Sequence, residues 1–193
     1  FFAHFLMILI LITIFVLFSL VAFLPTNDNN VYKLLFILFG IILFFTAAFR
    51  GDGDFDYGGY VYLLHRSDSF TVEPTFILFS YIINEFLDGN PIYLFVFYAI
   101  LGVSFKLLAI KQLTELWFLS LVIYVSNFFV LHEMTQIRGG VASGLLLLCI
   151  KPLYERNLKM FLFLCALAFS FHFSAIIFLP LWFLGDQPKK GWL

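Results

Sequence analysis

Charge is what this chain lacks. Only 12% of its 193 residues are Asp, Glu, Lys or Arg, about half the share found in a soluble domain. So little charge cannot clothe a water-facing surface. The 12 acidic and 11 basic residues nearly cancel, and with no basic patch, nucleic acid is excluded as a partner. Cysteine is scarce as well. Cys149 and Cys165 lie inside apolar runs, where they read as small buried hydrophobes and argue against a disulfide framework or a metal site. What is left is 63% hydrophobic and holds 29 phenylalanines. That composition predicts an all-α fold, a polytopic transmembrane helical bundle in a lipid bilayer.

The apolar runs predict about six spans plus one short helix. The first, 5–24, covers roughly 30 Å at ~1.5 Å per residue and has no small-residue cleavage site, so it reads as a spanning helix and not as a signal peptide. The others are 32–49, 92–110, 116–131, 139–150 and 158–184. Pro74 opens a shorter stretch, 74–88, with Ser80, Asn84 and Asp88 as a polar stripe. It reads as a re-entrant or interfacial helix, the alternative being a short ordinary span with a polar helix contact. Residues 1–193 form a single integral membrane domain.

Charge gathers in the outer loop 50–73. Asp52, Asp54, Asp56, Asp68 and Glu73 fall there with Arg50 and Arg66. Ionisable residues concentrated at a membrane mark a place that holds something polar. The three clustered aspartates begin like a calcium loop, but Tyr57 stands where its glycine belongs and Leu63 where its glutamate belongs. A looser metal or sugar-hydroxyl site and a plain solvated loop are the open readings. Tyr57, Tyr60 and Tyr62 suit stacking on sugar rings or an interfacial aromatic belt.

Orientation follows from Lys and Arg. If 74–88 does not cross, Lys33, Lys106, Lys111, Lys151, Arg156 and Lys159 share one side, with Lys106 and Lys111 snorkelling at the exit of their span. The 50–73 loop and the polar patch 132–138 then lie together outside the cell. If 74–88 does cross, they fall on opposite faces. Arg50 and Arg138 border spans at the outer end, and their planar forks of donors suit phosphate. Gly140 and Gly144 make a GxxxG pair whose plain role is helix packing. His172, deep in the last run, is either functional or a neutral imidazole bonded to a neighbouring helix. Ser143 with His172 would make an intramembrane protease pair, but Val141-Ala142-Ser143-Gly144 lacks the first glycine of Gly-x-Ser-Gly.

Over about 32–184 these motifs occur in a particular order: a span ending in Phe49-Arg50; Asp56 and Tyr60 at D-x-x-x-Y spacing; Glu73-Pro74; Thr135-Gln136-Ile137-Arg138 opening a small-residue helix; and AFSFHFS at 168–174 followed by Pro180. This order resembles the EpsG-type family of Wzy-like polysaccharide polymerases. Gly139 departs from the glutamine that family has after its arginine. The resemblance implies a multi-pass enzyme of the bacterial cytoplasmic (inner) membrane. It would join polyprenyl-diphosphate-linked oligosaccharide repeat units at the outer face, alongside other proteins of polysaccharide export. The product would be an extracellular polysaccharide such as an exopolysaccharide or O-antigen.

The resemblance also implies no cofactor, no metal and no nucleotide sugar, because the diphosphate is already the leaving group. It assigns Arg50 and Arg138 to the diphosphate, Tyr60 and Gln136 to sugar hydroxyls, and the base to Glu73, Asp56 or His172, with Glu73 first. Such polymerases continue with several more spans, so the sequence is expected to be the N-terminal part of a longer one. The competing readings are a membrane glycosyltransferase using a polyprenyl-phosphate sugar, and a transporter or flippase, which would carry mid-membrane charge.

Overall fold

The computed structural model describes residues 2–23, 29–50, 56–66 and 72–184, and all regular structure among them is helical. In chain order the helices are α1 (Phe2–Ala22), α2 (Asn29–Ala48), α3 (Tyr57–His65), α4 (Pro74–Phe86), α5 (Ile92–Leu113) and α6 (Trp117–Tyr124). The last of these continues into a π-helix, Val125–Thr135. Then come α7 (Ile137–Tyr154), α8 (Leu158–Phe171), a 3-10 segment (Phe173–Phe178) and α9 (Leu181–Leu184). Among the described residues, Asn29–Ala48, Ile92–Leu113, Trp117–Thr135 and Ile137–Tyr154 are long and apolar enough to cross a membrane. Met7–Ala22, Leu158–Phe171 and Phe173–Leu184 are shorter apolar helices.

The helical membrane bundle therefore stands, and three expected boundaries move. The expected loop 50–73 contains α3, a helix of nine residues. It forms because Tyr60 and Leu64 are buried, and because Asn84 of the polar stripe donates to the Leu64 carbonyl at 2.8 Å. The expected stop near Pro152 is absent, and α7 runs through that proline. A proline removes the N–H that would bond the carbonyl four residues back; Gln112 of α5 reaches that Leu148 carbonyl instead, at 3.5 Å. The expected last span 158–184 is interrupted at His172, whose backbone is extended (φ −157°, ψ 121°).

Helix α5 is the spine. It packs against α7 on one side and α2 on the other. Leu94, Phe95 and Tyr98 enter a core shared with α3, α4, α7 and α8. Ala99 and Val103 enter a second core with α1, α2 and α6. The GxxxG pair does pack as expected: a Cβ on Gly144 would stand 2.9 Å from Phe105 Cβ, and one on Gly140 would collide with the backbone carbonyl of His132. Lys106 departs from expectation. It is buried at 3% exposure and ion-paired with Glu133, so it does not snorkel.

The two adjacent glycines of α7 separate packing from mere flexibility. At Gly139 a Cβ would meet His172 Cδ2 at 3.7 Å, an ordinary contact. Thermal unfolding in detergent should leave Gly139→Ala at or above the wild-type Tm. Gly140→Ala should lose about 1–3 kcal/mol, because backbone, and no flexible side chain, stands in the way.

Candidate active site

The site is assembled from three helix ends. Glu73 precedes Pro74, and a residue before proline is pushed out of the helical region. It is accordingly extended (φ −65°, ψ 148°) with Pro74 in the first turn of α4. Its carbonyl accepts the first helical bonds, from the amides of Phe76 and Ile77, while its side chain makes no cap bond and points away. The carboxylate, only 4% exposed, is shared. One oxygen accepts from Arg138 Nη1, and the other lies 2.7 Å from His172 Nδ1. The hydroxyl of Thr75 donates to the Ser170 carbonyl at 2.6 Å, tying the start of α4 to the end of α8.

His172 is half in and half out, with its side chain 40% exposed. Helix α8 closes on a bond from its amide to the Ala168 carbonyl, and its own carbonyl accepts from Ala175 to start the 3-10 segment. Such irregular backbone at membrane depth is tolerated where protein or a cavity surrounds it. A carboxylate only accepts hydrogen bonds, so Nδ1 donates to Glu73, and Nε2 is the ring nitrogen turned away from it. No described residue bonds that Nε2.

Arg138 projects from the first turn of α7. Its guanidinium carbon lies 5.8 Å from the centre of the Tyr60 ring and 5.4 Å from that of Phe76, both within cation–π range. Arg50 follows the end of α2. It donates to the Glu133 carbonyl at 2.7 Å and lies over Phe95 at 4.2 Å. Phe95 meets Tyr60 edge-on at 6.4 Å. Burial pushes the Tyr60 hydroxyl pKa up, and the charges of Arg138 and Arg50 pull it back. Both guanidiniums therefore serve one end of the bundle. The loop and the 132–138 patch meet there, as they do only if 74–88 does not cross.

Residues 33–193 match the model of the EpsG family. The chain belongs to that family. It is a family of membrane proteins connected with polysaccharide biosynthesis. Neither a curated protein nor a solved structure matches the chain.

In this EpsG-family chain, Glu73, Arg138, His172 and Tyr60 come together, with Arg50 close by. Gln136 sits exposed at the break before α7, on the side of Gly139 that His172 also faces. Asp56 caps α3, exposed and without a side-chain cap bond. Its carbonyl accepts from the Tyr60 amide at 3.0 Å, and its side chain acts on the cluster through its field on Tyr60. Asp52, Asp54 and Asp68 lie outside the described residues. Tyr57 stacks on Phe95 at 4.8 Å, and Tyr62 stays exposed beneath Arg66. The Ser143–His172 pairing does not occur: Ser143 Oγ donates to the Gly140 carbonyl at 2.8 Å and lies 3.3 Å from Nδ1 of His132.

Sequence reasoning missed the Lys106–Glu133 pair and its Tyr124 partner. The available signal was a lysine inside one apolar run and a glutamate at the end of the next. Removing one partner of a buried ion pair costs about 3–5 kcal/mol. Arg138 is 22% exposed, so Glu73→Ala should fall at the lower end, near ~3 kcal/mol. Glu73→Gln, which keeps the shape, should lose less in the same thermal-unfolding measurement.

Proposed function

We propose that this chain polymerises polyprenyl-diphosphate-linked oligosaccharide repeat units at the outer face of the bacterial cytoplasmic membrane. The observation that carries the reading is the Glu73 carboxylate held between a guanidinium and a half-exposed imidazole. Family membership supports the same pathway. In the proposed reaction, the acceptor sugar hydroxyl attacks the anomeric carbon of the growing glycan. The anomeric C–O bond to the diphosphate breaks, and its electron pair leaves with the polyprenyl diphosphate.

The hydroxyl proton goes to His172 Nε2. This assigns the base differently from the first expectation. Glu73 is the more deeply buried and already takes two donors, so it suits orienting the ring and stabilising the imidazolium, while His172 faces the open side. Arg138 and Arg50 carry the charge that develops on the departing diphosphate. Tyr60 and Gln136 stand beside them as donors for sugar hydroxyls. Asp56 is a weaker choice for base, because its carboxylate bonds none of these side chains.

A cleft of about 340 Å³ opens on the Lys106 side of α7. It runs between the α6–π-helix segment and α7, with Lys106, His132, Ser143, Leu147, Ile150 and Phe178 in its lining. Gly139 faces His172, and positions 143, 147 and 150 continue that face of α7 at helical spacing. The proposed occupant is the polyprenyl chain.

The test is a gel of surface glycans from a strain whose own gene is deleted and replaced by variants. Arg138→Ala and Arg50→Ala are expected to accumulate single lipid-linked units without polymer. His172→Ala should lower polymer by about 10²–10⁴-fold, the usual worth of a general base. Long polymer of normal amount from these strains refutes the assignment, and loss of all surface glycan moves the protein to an earlier step.

A further inference from the structure

A second buried charge cluster lies across the first turn of α7 from Glu73. Arg138 and Gly140 are two residues apart, roughly 200° around the helix. On the Gly140 side sit Lys106 and Glu133, at 3% and 2% exposure. Lys106 Nζ donates to Glu133 Oε1, and also to the Gly140 carbonyl at 2.7 Å. The Tyr124 hydroxyl donates to the same glutamate oxygen at 2.8 Å. Gly102 leaves the room this needs, since a Cβ there would collide with Glu133 Oε2.

The pair is joined to both arginines of the site. The Glu133 backbone carbonyl accepts from Arg50 at 2.7 Å. The carbonyl that Lys106 holds belongs to the turn that carries Arg138. We propose that Lys106 and Glu133 are positioning residues that fix Arg50 and Arg138 at one spacing, so that both engage a single diphosphate. This rests on reading the site as one for a lipid diphosphate.

Stability alone gives little reason for charge here. An apolar pair of similar volume would fill the space without the desolvation cost. What the ion pair adds is direction. An ammonium has three donors, and two of these reach separate elements, the Glu133 carboxylate near the end of the π-helix and the Gly140 carbonyl at the start of α7. A diphosphate presents two phosphoryl groups, each suited to one guanidinium fork. With the spacing lost, the arginines would bind a monophosphate about as well.

The experiment titrates farnesyl diphosphate and farnesyl monophosphate, as probes, against the purified chain in detergent. Wild type should prefer the diphosphate by at least ~10-fold. Glu133→Gln keeps shape and backbone carbonyl but removes the charge; Lys106→Met/Glu133→Leu replaces the whole pair. In either variant the preference should fall to near parity while the protein stays monodisperse, and adding Arg50→Ala should lower it no further. A folded variant that keeps the wild-type preference overturns the proposal. So do losses that simply multiply when combined with Arg50→Ala. If neither variant yields folded protein, the pair is scaffold and the positioning role falls. Arg50→Ala alone separates the two ideas: an unchanged preference there removes the lipid-diphosphate reading itself.

Discussion

A carboxylate inside an apolar bundle is stable as a charge only when cations and donors surround it. Glu73 meets that demand through Arg138 and His172, residues 65 and 99 positions further along. The start of α4, the start of α7 and the break after α8 must therefore converge. All three are places where the helical bonding pattern is incomplete, and so where side chains leave the helix surface at angles a continuous rod does not offer. Chemistry gathers at these ends because a buried charge can be met there from several elements at once.

The π-helix answers a related constraint. Its amide–carbonyl bonds span five residues, as in the 2.7 Å bond from Gln136 to the Leu131 carbonyl, and such segments are frequent at functional sites. The last carbonyls of any helix lack partners within it. Glu133 lies in that last stretch, and Arg50 takes up its carbonyl. One residue thus uses its backbone outward, toward the site, and its side chain inward, toward Lys106.

Much of the bundle was legible in the apolar runs, because a membrane-crossing helix is written as length and hydropathy. Glu73 was legible for a local reason: the proline after it forces it off the helix. The rest depended on partners distant in sequence. Gly58 and Gly59 lower the helix propensity of α3, and nine residues are too few for an isolated helix. Tertiary burial of Tyr60 and Leu64 decides it. The break at His172 has no glycine or proline of its own to announce it. Lys106 looked like an anchor at the end of a span until its partner, 27 residues away, was seen. The site residues could be nominated by motif, but their bonds join separate helices, and no periodicity along one helix encodes them.

The first turn of α7 is where these constraints meet. Arg138 leans to one side, toward Glu73, and the bare backbone of Gly140 faces the other, toward Lys106 and His132. Gly139 looks toward His172. A longer side chain at 140 would push the π-helix off the turn and carry Glu133 with it, and hence Arg50. A shift of the turn toward Glu73 would draw Gly140 away from the lysine. The turn is thus held on one side by the Arg138–Glu73 ion pair and on the other by the hydrogen bond from Lys106 to the Gly140 carbonyl.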